Sequence, residues 1–258
     1  MTLHVQTTGN GPHLTLVHGW GLHGGIWQDL VDDLSENWRV TVIDLPGHGM
    51  SAMPEDAFTL ETLTAEIARV VPQSSALLGW SLGGMISMQL AASHPDRISK
   101  LILVASTPQF VRSQDWPHAM DAQVLDAFAG HLTRDFHATV QQFLALQVYG
   151  SEDERNTLRQ LKRLAFSRNT PDPQALQGGL IILAQGNIRP LLAKITCPAL
   201  LIYGQHDRLV PQAVGKDLLD LLPRATLHVI NRAGHAPFLS HPQEFYQTIT
   251  AFLHDHTA

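Results

Sequence analysis

Cysteine is almost absent from this sequence, since Cys197 is the single cysteine in 258 residues. An internal disulfide is therefore excluded, and the cysteine content does not indicate an oxidising compartment. No apolar run reaches the ~20 residues that a membrane helix needs. The N-terminus also lacks the basic segment and apolar stretch of a signal peptide. We therefore expect a cytoplasmic protein that does not enter a membrane.

Charge is also scarce, because charged residues make up 16% of the chain and the formal net charge is -6. This balance argues against nucleic acid as a partner. The chain has no H-E-x-x-H sequence, no paired cysteines and no phosphate-binding loop, so we expect no metal and no cofactor. Hydrophobic residues, at 44%, are sufficient for one large core. Nothing in the sequence requires more than a monomer.

Short apolar, β-branched runs alternate with segments of helical spacing. Runs that are apolar on both faces are typical of buried parallel strands, and the alternation predicts a doubly wound, mostly parallel α/β sheet. The predicted strands are 14–17, 40–43, 76–78, 101–104, 200–203 and 227–230, and the predicted helices between them are 60–71, 84–93, 212–222 and 242–254.

The alternation is interrupted in the middle of the chain, where four helices and no convincing strand are predicted. These helices are 121–132, 135–148, 152–166 and 173–184. An insertion between two parallel strands usually covers the carboxyl edge of the sheet, where ligand selectivity tends to reside. We expect residues 1–108 and 187–258 to form the core and residues 109–186 to form a helical cap, or lid.

The sequence G-W-S-L-G at residues 79–83 joins a predicted strand to a predicted helix. A serine presented on such a sharp turn needs small residues two positions away on each side, and Gly79 and Gly83 meet that need. This context predicts the α/β-hydrolase fold with Ser81 as a catalytic nucleophile. The structural alternative is a serine that only caps a helix in a glycine-rich turn.

The oxyanion hole is predicted from the loop after the first strand, His18-Gly19-Trp20. In this fold one donor comes from that loop and the other from the residue after the nucleophile. We assign the backbone N–H groups of Trp20 and Leu82, each worth about 3 kcal/mol in comparable sites. His18 is interpreted as a structural brace for the loop.

The acid and the base follow the serine in the order Asp, then His. Asp207 stands just after a predicted strand, and His235 follows the last one, with Gly234 permitting a turn. His235 would accept the serine proton while Asp207 fixes the imidazole tautomer. A turn aspartate is the alternative for Asp207. Asp44 precedes the nucleophile and is interpreted as a turn residue.

Several segments together carry a more specific resemblance. They are H-G-W-G-L at 18–22, D-L-P-G at 44–47, G-W-S-L-G-G at 79–84, F-L-A-L-Q at 143–147 and G-H-A-P-F at 234–238. With them the chain resembles, nearly end to end, the pimeloyl-acyl-carrier-protein methyl ester carboxylesterases of biotin synthesis. The resemblance implies that a methyl ester on a carrier-bound pimeloyl chain is hydrolysed to the carboxylate and methanol.

The resemblance also implies a substrate site and a protein partner. The implied substrate-binding residues are Trp20, Ser81, Leu82, Phe143, Leu144, Ala145, Leu146, Gln147 and His235. For the residues of 143–147 taken singly, a core-facing helix stripe is an equal alternative. The implied partner is the acidic acyl carrier protein that bears the substrate.

Four cations recur at helical spacing and would form one basic stripe: Arg155, Arg159, Lys162 and Arg163. From the residues alone a solvated helix face is favoured, because three acidic residues stand just upstream. The resemblance implies that Arg155 and Arg159 contact the carrier protein. Ala138 and Gln142 stand where that family can carry further arginines, which weakens the case for tight docking.

Other functions remain compatible with the same triad. The main alternative is a broad-specificity, short-chain carboxylesterase that does not depend on a carrier protein. A carbon–carbon bond hydrolase or a perhydrolase is also compatible with the chemistry. Dehalogenases and epoxide hydrolases need a carboxylate where this chain has Ser81. A binding module on a hydrolase scaffold would usually have lost part of the triad or the oxyanion loop.

Overall fold

The structure of the protein is a computed structural model that describes residues 2–132 and 136–255. Within these ranges seven strands form one sheet in the order β1-β3-β2-β4-β5-β6-β7. All neighbouring strands are parallel except β1 and β3. The strands are β1 (Val5–Thr8), β2 (His13–Val17), β3 (Arg39–Ile43), β4 (Ser75–Trp80), β5 (Ile98–Val104), β6 (Ala199–Gly204) and β7 (Ala225–Ile230).

The six predicted strands are all present, and the mostly parallel sheet confirms the predicted α/β architecture. β4 lies in the middle of the sheet and is buried at every residue. β1 was not predicted. It is a mostly exposed antiparallel edge strand without an apolar run, so the signal used for the other strands is missing there.

Helices cover the sheet. They are α1 (Gln28–Leu34), α2 (Leu60–Val70), α3 (Leu82–Ser93), α4 (Ala122–Leu132), α5 (Phe136–Val148), α6 (Glu154–Ala165), α7 (Pro173–Gln185), α8 (Gln212–Leu221), α9 (Pro237–Ser240) and α10 (Pro242–His254), with 3-10 helices at Gly24–Trp27 and Arg189–Lys194. The predicted helices are confirmed with small shifts at their ends. The first residue of the predicted helix 135–148 lies outside the described residues.

Helices α4 to α7 follow one another between β5 and β6, where the sequence predicts an insertion. α4 packs against α5 and α7, and α6 packs against α5, α9 and the first 3-10 helix. The insertion is therefore in contact with the part of the chain that follows β2 and the part that follows β7. No helix within the two described ranges is long and apolar enough to cross a bilayer.

Candidate active site

Ser81 lies on a strained turn between β4 and α3. Its backbone has φ 56° and ψ -120°, in the left-handed region that non-glycine residues rarely adopt. The Ser81 N–H donates to Val104 O at 2.9 Å, and the Ser81 carbonyl accepts from Ser106 Oγ at 2.7 Å. Neighbouring strand β5 and the residues after it therefore hold the strained turn in place.

The glycines around this turn are required by close packing. A Cβ atom on Gly79 would lie 2.4 Å from both Gly83 O and Ser87 Oγ, and one on Gly83 would lie 2.4 Å from His18 O. The start of α3 consequently touches the loop that follows β2. Leu82 is the first residue of α3, so its N–H belongs to the free donors at a helix N-terminus.

Asp207 and His235 form a buried pair. His235 Nδ1 lies 2.8 Å from Asp207 Oδ2, and both side chains are at most 1% exposed. The second carboxylate oxygen, Oδ1, accepts from the N–H groups of Leu209 and Val210 at 2.8 and 2.9 Å. Three hydrogen bonds thus satisfy the carboxylate and fix its orientation. Since a carboxylate can only accept, the Nδ1 proton stays on His235 and Nε2 carries the free lone pair.

The main chain of His235 is held from two sides. Its N–H donates to Gln147 O at 2.8 Å, and its carbonyl accepts from Trp80 Nε1 at 2.8 Å. Next to it, the N–H of Gly234 donates to Ser151 Oγ at 3.2 Å. The loop that carries His235, called the base loop below, is therefore connected both to Trp80 at the end of β4 and to the end of α5.

Ser81 and His235 line the same narrow cavity. The other lining residues are Phe110, Met120, Leu125, Phe128, Phe143, Leu183 and Leu209. In the described part of the chain His235 Nε2 is buried without a hydrogen-bond partner. Hydrogen bonds between a nucleophile and its base are often long before substrate binds, so this geometry is compatible with a Ser–His pair.

The five residues predicted from 143–147 have different positions. Phe143 lines the cavity and packs edge-on against Trp20, with 4.7 Å between the ring centroids. Leu146 instead lines a groove between α4 and α5. Leu144 is buried, Ala145 is half-buried, and Gln147 is buried with its carbonyl on the base loop. The structure therefore brings Phe143 to the reacting side chains more directly than its four neighbours.

Sequence reasoning missed most of the apolar lining of the cavity. Phe110 and Met120 come from the segment between β5 and α4, Leu125 and Phe128 from α4, and Leu183 from α7. The apolar spacing of 121–132 indicates a buried helix face but not what that face covers. Finding these residues from sequence would need the packing of three separate segments.

Two neutral histidines support the loop after β2, which the sequence analysis predicts to supply an oxyanion donor. His18 Nε2 accepts from the Leu45 N–H at 2.9 Å, and His48 Nε2 accepts from the Gly21 N–H at 3.3 Å. Burial lowers the pKa of His18 to about 3 and that of His48 to about 4. Both rings therefore stay uncharged near neutral pH and can accept these bonds. His18 has the bracing contacts that the sequence analysis expected.

Asp44 has a larger structural role than the predicted turn. Its carboxylate accepts from the N–H groups of Gly24 and Met50 at 2.6 and 3.0 Å. Arg168 Nη1 lies 3.1 and 3.0 Å from its two oxygens. Arg168 belongs to the segment between α6 and α7, so this ion pair joins the insertion to the loop after β3.

Residues 2–132 and 136–255 contain no group of three or more His, Cys, Asp or Glu side chains arranged to hold a metal ion. The cavity brings together a serine hydroxyl and an imidazole that is hydrogen-bonded to a buried carboxylate. Such a set is typical of nucleophilic acyl transfer.

Comparison with known proteins gives the family. The family model of the alpha/beta hydrolase fold matches residues 12–242. A pimeloyl-[acyl-carrier protein] methyl ester esterase of Vibrio vulnificus is 41% identical over 250 residues, which cover 97% of each chain. One of the same name from Nitrosomonas europaea is 41% identical over 251 residues, covering 97% of this chain and 99% of its own.

Solved structures share the fold at lower sequence identity. An esterase from Exiguobacterium antarcticum superposes with a TM-score of 0.91 at 23% identity, covering 98% of this chain and 96% of its own. A bromoperoxidase from Bacillus anthracis does so with a TM-score of 0.90 at 24% identity, covering 98% and 95%. These likenesses show the fold alone. From the family match and the full-length relatives, this chain belongs to the α/β-hydrolase family and, within it, to the pimeloyl-[acyl-carrier protein] methyl ester esterases.

Proposed function

We propose that this protein is a serine carboxylesterase that hydrolyses the methyl ester of pimeloyl-acyl carrier protein to the free carboxylate and methanol. One observation carries the proposal: a strained Ser81 shares a narrow apolar cavity with His235, whose other nitrogen is bonded to the buried Asp207. This arrangement supports acyl transfer through a serine, and the names of the full-length relatives supply the substrate.

The reaction proceeds through an acyl-enzyme. His235 Nε2 accepts the Ser81 proton as Oγ attacks the ester carbonyl, and Asp207 stabilises the resulting imidazolium. The N–H groups of Trp20 and Leu82 donate to the developing oxyanion. His235 then protonates the departing methoxide, and methanol leaves. Water attacks the acyl-enzyme with the same base, which regenerates Ser81 and releases the carboxylate.

The substrate site of this proposal keeps the residues that the sequence analysis named. The proposed substrate-binding residues are Trp20, Ser81, Leu82, Phe143, Leu144, Ala145, Leu146, Gln147 and His235. Among them Phe143 has the strongest support, because its ring lines the cavity beside Ser81. A pimeloyl chain is largely methylene, so an apolar lining suits it.

We assign residues 109–186 to a cap over a core of residues 1–108 and 187–258. The cavity supports this division, because six of its nine lining residues come from 109–186: Phe110, Met120, Leu125, Phe128, Phe143 and Leu183. The core contributes Ser81, Leu209 and His235. In this assignment the core supplies the reacting groups and the cap supplies most of the apolar surface around the acyl chain.

The carrier protein would dock on the cap through Arg155 and Arg159. Both side chains are exposed on α6, and neither takes part in an ion pair with another described residue. An acidic partner would be attracted to such a face. Ala138 and Gln142 are exposed and uncharged, so docking rests on fewer cations here. We further propose that the enzyme is a cytoplasmic monomer.

The test is hydrolysis of pimeloyl-acyl-carrier-protein methyl ester beside a short p-nitrophenyl ester, by wild type and by Ser81→Ala. We expect wild type to cleave the carrier-bound ester with the higher kcat/KM, and Ser81→Ala to lose about 10⁴-fold or more on both substrates. Gel filtration of the same preparation tests the monomer.

Two results would contradict the proposal in different ways. If wild type cleaves only the short ester, the serine mechanism stands but the protein is a broad carboxylesterase without carrier dependence. If Ser81→Ala keeps wild-type activity on both esters, the assignment of the nucleophile is wrong.

A further inference from the structure

Two adjacent glycines occupy the middle of α7. Gly178 and Gly179 lie well inside a helix that runs from Pro173 to Gln185. Glycine is among the least favourable residues in a helix interior, so a pair at this position calls for a packing reason. Both glycines are buried.

Each glycine lacks a side chain at a point where a different aromatic ring packs against the helix. A Cβ atom on Gly178 would lie 2.5 Å from Phe58 Cδ1. A Cβ atom on Gly179 would lie 2.5 Å from Trp20 Cδ1 and 2.9 Å from its Nε1. These separations are far shorter than real carbon–carbon contacts, so either substitution has to displace its ring.

The Trp20 ring is held firmly against α7. Its Nε1 donates to Leu176 O at 2.8 Å, one turn before Gly179, and its ring is packed edge-on by Phe143. Trp20 is only 1% exposed. An added methyl group at Gly179 could therefore move the ring only by disturbing this hydrogen bond or the contact with Phe143.

The position of this ring matters because the Trp20 N–H is one of the two proposed oxyanion donors. Trp20 stands between Gly19 and Gly21, and Gly21 has a positive φ of 72°. A Cβ atom on Gly19 would approach Ser81 Cβ to 3.1 Å, so this loop lies directly beside the nucleophile. Hydrogen bonds hold Gly19 O on His18 Nδ1 and the Gly21 N–H on His48 Nε2, and the anchored indole adds a third constraint at the residue between these two glycines.

We propose that Gly179 is a positioning residue, which seats the Trp20 indole on α7 and thereby fixes the Trp20 N–H in the oxyanion hole. In this arrangement the cap determines part of the catalytic geometry of the core, in addition to lining the substrate cavity. The inference rests on the oxyanion role that the proposed function gives to Trp20. It does not depend on the identity of the acyl chain or on the carrier protein.

The test compares Gly179→Ala with Gly178→Ala on the short p-nitrophenyl ester. Both variants put a methyl group into the same helix, beside a ring, and both improve helix propensity. We expect Gly179→Ala to lower kcat about tenfold with KM changed less than about twofold, because the donor is misplaced mainly for the transition state. Gly178→Ala should keep kcat within about twofold of wild type.

A second readout reports on the oxyanion hole itself. Phenylboronic acid forms a tetrahedral adduct with an active-site serine, so its affinity depends on the oxyanion donors. We expect Gly179→Ala to weaken its inhibition about tenfold and Gly178→Ala to leave it unchanged. A change that only loosened the helix would not separate the two variants in this way.

The Trp20→Phe background isolates the contact. Phenylalanine is smaller than tryptophan, so Gly179→Ala in that background should change kcat by less than about twofold. If Gly179→Ala alone fails to fold, recovery of folding in the Trp20→Phe background supports the contact, and failure in both backgrounds overturns it.

Three further results would overturn the proposal. They are a wild-type kcat in Gly179→Ala, an equal loss of kcat in Gly178→Ala, and an equal loss of kcat from Gly179→Ala in both backgrounds. Because the short ester is the substrate, failure of the carrier-specific function leaves this test intact.

Discussion

The residues that we assign to the core and those that we assign to the cap are packed in different ways. β4 and the first eleven residues of α3 are buried throughout, and the Ser81 turn between them is fixed by backbone hydrogen bonds and close glycine contacts. Of the four large apolar side chains that are exposed among the described residues, Tyr149, Phe166 and Ile181 belong to the segment assigned to the cap, and only Met50 belongs to the core. The proposed reacting groups thus lie where packing is tightest, and we expect contact with a partner on the side that leaves apolar surface open.

After Ser81→Ala, the largest effect is expected from Asp207→Asn. The amide Oδ1 can still accept from Leu209 and Val210, but the amide NH₂ opposes the His235 Nδ1 proton and favours the wrong tautomer. We expect kcat to fall by about 10³- to 10⁴-fold, with the circular dichroism spectrum unchanged.

The matched control for this prediction is Asp217→Asn. Asp217 also bonds a histidine nitrogen, His118 Nδ1, at 2.7 Å, but that pair is at the surface. Loss of the Asp217 carboxylate should leave kcat on the short ester unchanged. Equal losses in both variants would mean that Asp207 acts only through stability, and the assignment of the acid would be wrong.

The second prediction concerns acid stability of the core. The pKa values of His18 and His48 are lowered by burial to about 3 and 4, below the value near 6.5 of the unfolded chain. The unfolded state therefore binds more protons between about pH 6.5 and 4, so stability is complete above this window and falls as the pH is lowered through it. Each neutral histidine adds up to about 1.4 kcal/mol per pH unit to the slope of the free energy of unfolding against pH.

Chemical denaturation between pH 8 and 4.5 measures this slope. The titration is not isolated, because Asp44 and His23 act on both rings, Asp172 acts on His48, and His48 acts on His18. His48→Gln keeps a side-chain acceptor and should reduce the slope by about one proton. His94→Gln, at an exposed position, makes the same substitution outside this cluster and serves as the control. The same slope in all three proteins would contradict the prediction.

The third prediction concerns the junction between cap and core. Arg168→Gln removes the cation from the Asp44 carboxylate, which is 1% exposed but keeps two backbone donors. We expect the free energy of unfolding to fall by about 2 kcal/mol, less than for a fully buried pair because Arg168 itself is partly exposed. Arg112→Gln, which breaks the exposed pair with Asp121, should cost less than about 0.5 kcal/mol. If the two variants lose the same stability, the Asp44–Arg168 pair is no more than a surface contact.

Much of the core could be predicted from the sequence because its signals are local. Buried parallel strands are continuous apolar runs, and the nucleophile turn requires small residues at fixed spacing from Ser81. The order of the strands then brings Asp207 and His235 to the same edge of the sheet. β1 escaped prediction because its residues are mostly exposed and carry no apolar pattern.

The cap could be predicted as helices but not as a surface around the active site. Which face of α4 meets Ser81 depends on the packing of α4 between α5 and α7, and no local pattern encodes it. The Asp44–Arg168 pair joins residues 124 positions apart. Two adjacent glycines inside a helix, at 178 and 179, indicate close packing, but the sequence does not show that Trp20 packs against one of them.

The smallest effect is expected from charge on the outer face of the cap. Arg155→Glu combined with Arg159→Glu removes two exposed cations from α6 and would repel an acidic carrier protein. We expect kcat/KM for the carrier-bound ester to fall about tenfold, mainly through KM, and the salt dependence of this value to weaken. Activity on the short ester should be unchanged, since neither residue lines the cavity.

The control is Lys194→Glu combined with Lys216→Glu, which makes the same change of net charge at exposed positions outside α6. If both double variants lower kcat/KM for the carrier-bound ester equally, the carrier is attracted by overall charge. If only the α6 variant does so, the cap is the docking face, even though Ala138 and Gln142 leave it with fewer cations.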